Sequence, residues 1–251
     1  MSASSLSGSP SNPNPPSPSV QKLVSLARPA GTPLARYGLI NLSTGSISTL
    51  PIGDSTGLNL VDIASSGNDT FALDNLTGLY RVDLNTGNST RIGFLDSALE
   101  GIGFTSLGFD ASGTLYTVGT NKRTRQSALY TINVAAGGQT TLVANLPSVV
   151  DIGDIVYDAA SNRFFASTNT ASITNSLLYS VSLTGNTQLI GDIGFSGIGA
   201  LLFENGILYG YTSTLRTPQN QIIINTKTGT GTFDKQVNTN DSSFSGVSGG
   251  A

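Results

Sequence analysis

The chain contains no cysteine, no histidine and no tryptophan, and each absence removes a class of chemistry. Without cysteine there is no disulfide and no thiolate metal site. Without histidine the commonest metal ligand and general base is missing, which excludes Ser-His-Asp, Cys-His and His-based zinc chemistry. Without tryptophan the largest stacking surface is missing. Charge is also scarce. Charged residues make up 11% of the chain and the net charge is −3, against about 25% charged residues in a typical globular domain. Nucleic-acid binding needs dense Lys and Arg to displace counterions, so this balance argues against it. The one basic cluster, Lys122, Arg123 and Arg125, falls between two predicted strands and reads as a solvated loop. No apolar run approaches the roughly 20 residues that span a bilayer.

What is present is Gly, Ser, Thr and Asn, a low-charge composition familiar among bacterial exported and surface proteins. An extracellular or cell-surface location is expected on that ground. Residues 1–19, MSASSLSGSPSNPNPPSPS, are expected to be a disordered tail, because they hold too little apolar surface to offset ordering entropy. They show no basic stretch followed by an apolar one, so no signal peptide is visible in them. Residues 20–251 are long enough for one large all-β domain.

The strongest signal in that domain is a repeat. An alternating strand running into a Gly-ended turn occurs as GLINLSTG (38–45), YRVDLNTG (80–87), YTINVAAG (130–137), YSVSLTG (179–185) and IIINTKTG (222–229). The turn-leading residues Asn41, Asp83, Asn133, Ser182 and Asn225 are separated by 42, 50, 49 and 43 residues, within the range of propeller blades. The period-two spacing of Tyr80, Val82 and Leu84, and of Tyr130, Ile132 and Val134, fits half-buried strands. Asp83 and its equivalents are turn formers, bonding their own backbone two residues on. Before this element comes a hairpin, as in SLGFDASGTLYTV (106–118) and DIVYDAASNRFFAS (154–167), and after it a further short strand, giving four strands per repeat.

The two ends are complementary. Residues 22–45 match the last strands of a repeat but lack its first strand, and residues 242–251 supply that strand alone. The expected fold is therefore an all-β propeller of about five four-stranded blades, closed by pairing of the N- and C-terminal strands. The segments LYTINVAAGGQTTLV and LYSVSLTGNTQLIG and the hairpin GFDASGTLYTV resemble the bacterial YVTN/lactonase-like propeller repeats. That resemblance implies the architecture. Lactonase members carry a metal or His-containing site, and this chain has no histidine to match.

Propellers bind ligands at the mouth of the central channel. Five acidic residues precede the five inner strands: Asp54, Glu100, Asp151, Asp192 and Asp241. A ring of carboxylates there would repel unless neutralised, and Ca²⁺ suits an irregular oxygen set. The alternative is that acidic residues simply favour turns. Asp151 and Asp154 lie three apart, so on a regular strand they face opposite ways and make a poor catalytic pair unless a bulge intervenes. Repeated tyrosines such as Tyr80, Tyr130 and Tyr179 read as packing between blades. Tyr37 and Tyr211 break the repeat and are the aromatic ligand-binding candidates. The reading is a monomeric, non-catalytic binding or scaffold module for a protein or glycan. Its rival is a carboxylate-based hydrolase of glycosidase or lactonase type at the channel mouth, with Ca as the one candidate cofactor.

Overall fold

The computed structural model describes residues 20–27, 36–51, 53, 58–95, 101–169, 175–212, 219–238 and 246–250. The expected tail, residues 1–19, lies outside the described residues. The chain forms five four-stranded antiparallel sheets. One contains β1 (Gln21–Ala27), β2 (Arg36–Asn41) and β3 (Ile47–Thr49). The next is β4 (Leu60–Ser66), β5 (Asp69–Asp74), β6 (Gly78–Val82) and β7 (Ser89–Phe94). The third is β8 (Ile102–Phe109), β9 (Leu115–Asn121), β10 (Gln126–Asn133) and β11 (Gln139–Val150). The fourth is β12 (Ile152–Asp158), β13 (Arg163–Thr168), β14 (Leu177–Ser182) and β15 (Thr187–Asp192). The fifth is β16 (Ala200–Glu204), β17 (Ile207–Tyr211), β18 (Asn220–Ile224) and β19 (Gly231–Gln236). The last strand, β20 (Gly246–Gly250), pairs antiparallel with β1, placing Leu26 opposite Val247 and Ser25 opposite Gly249. The first blade is thus completed by the far end of the chain.

Strands β20, β4, β8, β12 and β16 contact one another in a closed circuit and surround the axis. The core is divided to match. Each of five buried apolar clusters lies between two adjacent blades. Leu79, Leu95 and Phe104 fill one gap and Leu129, Ile155 and Phe164 the next. Leu178, Leu201 and Leu208 fill a third, Leu26, Leu202 and Val247 a fourth, and Leu23, Ile63 and Val82 the last. Four of the repeated tyrosines, Tyr80, Tyr116, Tyr130 and Tyr179, are buried in this packing. Tyr130 meets Phe104 edge-on at 5.6 Å and Tyr116 meets Phe164 at 5.2 Å, a favourable arrangement of ring quadrupoles.

The recurring turns behave as their residues dictate. The Asn41 side chain accepts from the Ser43 and Thr44 amides, and Asn225 does the same for Lys227 and Thr228. Asp83 accepts from the Asn85 amide and the Thr86 hydroxyl, and the Thr86 bond holds its carboxyl below the ordinary range. Val134 departs from the alternation. It opens a 3-10 turn, Val134–Ala136, because the Asn133 side chain caps the Ala136 amide.

The glycine closing each turn has a second role. Gly45, Gly87, Gly137, Gly185 and Gly229 have φ between 70° and 84°. Each sits hard against the previous blade's outer edge: a Cβ on Gly229 would stand 2.7 Å from Gly191, and one on Gly185 would stand 2.2 Å from Ala144. The short turn is therefore also the peripheral blade-to-blade contact.

Gly113 has the same φ as Gly229, 81°, with nothing near its missing Cβ. Gly113→Ala should cost about 1–2 kcal/mol from left-handed backbone strain alone. Gly229→Ala should cost at least ~1 kcal/mol more from overpacking, read by urea denaturation; equal losses would mean that the turn does not dock. Removing residues 246–251 should lower the calorimetric Tm and cause concentration-dependent association in size-exclusion chromatography, because the β1 edge is laid open. An unchanged Tm would mean that β20 does not close the ring.

Candidate functional site

Three inner strands bulge at matching points. The register slips between Leu60 and Asp62 in β4, between Phe104 and Ser106 in β8, and between Ile152 and Asp154 in β12. The pairing of β20 with β1 slips likewise at Ser248. A bulge inserts one residue and re-aims those that follow. Here the inserted residues Val61, Thr105, Gly153 and Ser248 line the channel mouth. The residues after them, Asp62, Ser106 and Asp154, form a fully buried layer beneath it.

The mouth is a cavity of about 540 Å³, within the range of small-ligand sites. Its polar wall carries Asn59, Thr105, Thr120, Asn169, Thr212 and Ser248. Leu60, Ile152 and Val247 supply apolar surface, and Lys122, Arg125 and Asp151 supply charge. Arg125 and Asp151 pair at 2.6 Å, the arginine side chain 61% exposed. Such a pair is worth little to stability. Asp151 alone links β11 to β12, with φ of 51°, so its place in the sequence answers to a tight blade-to-blade connection as well as to charge.

Below the mouth, Asp62 accepts from the amides of Ile63 at 2.7 Å and Leu107 at 2.6 Å, and also from that of Gly250. Asp154 accepts from Ile155 and Leu201, both at 2.7 Å. Each carboxyl thus bridges its own bulge to the inner strand of the next blade. The two also hydrogen-bond to each other across the axis. Burial pushes the Asp62 carboxyl up to about 8 despite these bonds. Burial, and then the nearby Asp62 charge, push Asp154 well above its ordinary value. Two desolvated like charges resist joint ionisation, so the pair retains a proton at neutral pH.

The sequence candidates are distributed as follows. Asp54, Glu100 and Asp241 lie outside the described residues. Asp151 lines the cavity. Asp192 ends β15, exposed, and accepts from the Gly194 amide at 2.6 Å; the cavity wall does not include it. Tyr37 and Tyr211 are buried, with hydroxyls bonded to Ser89 at 2.6 Å and Gln221 at 2.9 Å. A bulge at Gly153 does separate Asp151 from Asp154, but it sends one to the mouth and the other to the axis. Asp62 was missed. Its signal was a carboxylate inside an apolar inner strand, in the repeated Asp-Ile step of 62–63 and 154–155. Among the described residues, no three Asp, Glu, His or Cys residues gather as a metal cluster.

No sequence-family model matches the chain, and no curated protein is significantly related to it. Its fold is shared with solved structures at low identity. A chain of the nidogen/laminin complex is 14% identical with a TM-score of 0.53, covering 85% of this chain and 79% of that one. A gluconolactonase from Xanthomonas campestris is 10% identical with a TM-score of 0.54, covering 86% and 80%. A second, putative gluconolactonase is 9% identical with a TM-score of 0.54, covering 86% and 81%. These likenesses establish a β-propeller.

The buried pair makes stability depend on pH. Both folded-state pKa values lie above the unfolded value, so the folded protein binds more protons than the unfolded chain between about pH 4 and 8. Its stabilising protonation is complete at the acid end and is lost as pH rises through 8. In chelator-containing buffer, urea stability should fall from pH 5 to pH 8 by on the order of 1 kcal/mol per unit. The Asp62→Asn/Asp154→Asn double variant should lack that slope. A wild-type curve that rises over this range would contradict the shared proton.

Proposed function

We propose that the protein is a non-catalytic binding propeller, exported or at the cell surface, whose channel mouth takes a neutral, hydroxyl-rich ligand of the glycan class. The observation carrying this reading is the cavity wall. Asn59, Asn169, Thr105, Thr120 and Ser248 offer amides and hydroxyls that both donate and accept, and the charge beside them is largely spent in the Arg125–Asp151 pair. Among the described residues no aromatic ring lines the cavity, so stacking by them adds nothing and affinity should be weak, with Kd of roughly 0.1–1 mM. No helix among the described residues is long and apolar enough to cross a membrane.

The rival reading, a carboxylate hydrolase, has one observation in its favour: an acid pair with raised pKa beneath the cavity. Glycosidases hold their carboxyls about 5–10 Å apart with room for sugar or water between. Asp62 and Asp154 instead bond directly to each other and to backbone amides, buried from solvent. That is the environment of a structural pair.

A glycan array followed by calorimetric titration checks the proposal. Asn169→Ala and Asn59→Ala should each weaken binding several-fold with Tm unchanged. Absence of any carbohydrate binding would sink it. Turnover of a chromogenic glycoside or lactone that disappears in Asp154→Asn would establish the rival.

A further inference from the structure

We propose that the axis of the propeller, beneath the cavity, holds a calcium ion bound by the carboxylates of Asp62 and Asp154 and the hydroxyl of Ser106. This site does not rest on the glycan reading: it concerns the layer below the mouth and different side chains.

The first observation is register. Ser106 follows the bulge in β8 as Asp62 does in β4 and Asp154 in β12. The three therefore occupy one layer on three successive inner strands. The second observation is independent of any carboxylate. Ser106 is fully buried and its Oγ has no hydrogen-bond partner. A buried hydroxyl left unsatisfied is unfavourable, and such an atom in a native structure points to a bound water or ion.

The remaining two positions of the layer carry no bulky side chain. The corresponding position in β16 is Ala200, since Leu201 after it donates to Asp154 as Leu107 after Ser106 donates to Asp62. The corresponding position in β20 is Gly249, where a Cβ would fall 2.0 Å from Asp62 Oδ1. A larger residue at Gly249 would displace the Asp62 carboxylate.

The donors select the ion. Two carboxylates and a hydroxyl are hard oxygen ligands, with no nitrogen or sulfur to favour a transition metal. A divalent cation balances both carboxylates where protonation balances one. Each carboxylate oxygen that accepts an amide proton keeps a second lone pair for a cation. Calcium tolerates the irregular geometry these fixed strands impose, whereas magnesium demands a near-ideal octahedron. Water from the cavity above completes the coordination.

The test uses the full chain, stripped with EGTA and titrated with CaCl2. Calorimetry should show one calcium per chain and a Tm raised by several degrees. Asp154→Asn should abolish both effects. If that variant does not fold, Ser106→Ala decides the matter, because it removes an atom that holds nothing else. It should weaken calcium binding about tenfold or more while leaving the EGTA-treated protein as stable as wild type. Asp151→Ala and Asp192→Ala should bind calcium normally. Tm and metal content that are identical in calcium and EGTA would overturn the proposal. So would a calcium response untouched by Ser106→Ala, or one lost in Asp151→Ala or Asp192→Ala, which would place the ion among the mouth carboxylates.

Discussion

Radial closure is the constraint on which the rest of this molecule depends. A four-stranded blade buries its two faces only against neighbours, so five blades need a fifth interface between the last and the first. Strand β20 supplies it by pairing with β1, placing Val247 opposite Leu26. That single antiparallel pairing closes the circuit of inner strands and the circuit of apolar clusters together. Closure also removes the open edge that a linear array of the same units would present.

Within the closed ring, the centre and the rim are fixed by different means. At the rim, glycines such as Gly45, Gly185 and Gly229 at the turn, or Gly93 on the edge facing it, let one blade's backbone press against the next. At the centre the inner strands lack such turns, and carboxylates take over. Asp62 reaches amides on β8 and β20, and Asp154 an amide on β16. A buried carboxylate is costly unless its oxygens are bonded, and here the bonds are made between blades. The bulges that turn these side chains inward also deliver Thr105 and Ser248 to the mouth above. One backbone irregularity, repeated around the ring, therefore shapes both the structural layer and the cavity.

The fold was legible in the sequence because its devices are local. Asn41 or Asp83 ahead of a Gly-ended turn, the alternation from Tyr80 to Val82, and the half-repeats at each terminus all speak through neighbouring residues. The site was less legible. The acidic pattern visible in the sequence lies in the loops before the inner strands, where Asp151 and Asp192 stand. The buried pair instead sits inside the strands. Asp62 looked like an interruption of an apolar run, and its pairing with Asp154, 92 residues away, follows from radial geometry that no local pattern encodes. The bulges were equally hidden, because strict alternation places Asp62 without regard to Val61 being inserted. Val134 shows the same limit in small: its spacing continues a strand, and the Asn133 cap ends it.

Native-state hydrogen exchange on β20 tests the closure most directly. The account predicts that protected amides in residues 246–250 exchange by the same global opening as those of β4, β8 and β12, with the same dependence on denaturant. If β20 exchanges by a separate opening of much lower free energy while the other inner strands stay protected, the ring is held by something other than the joining of its two ends.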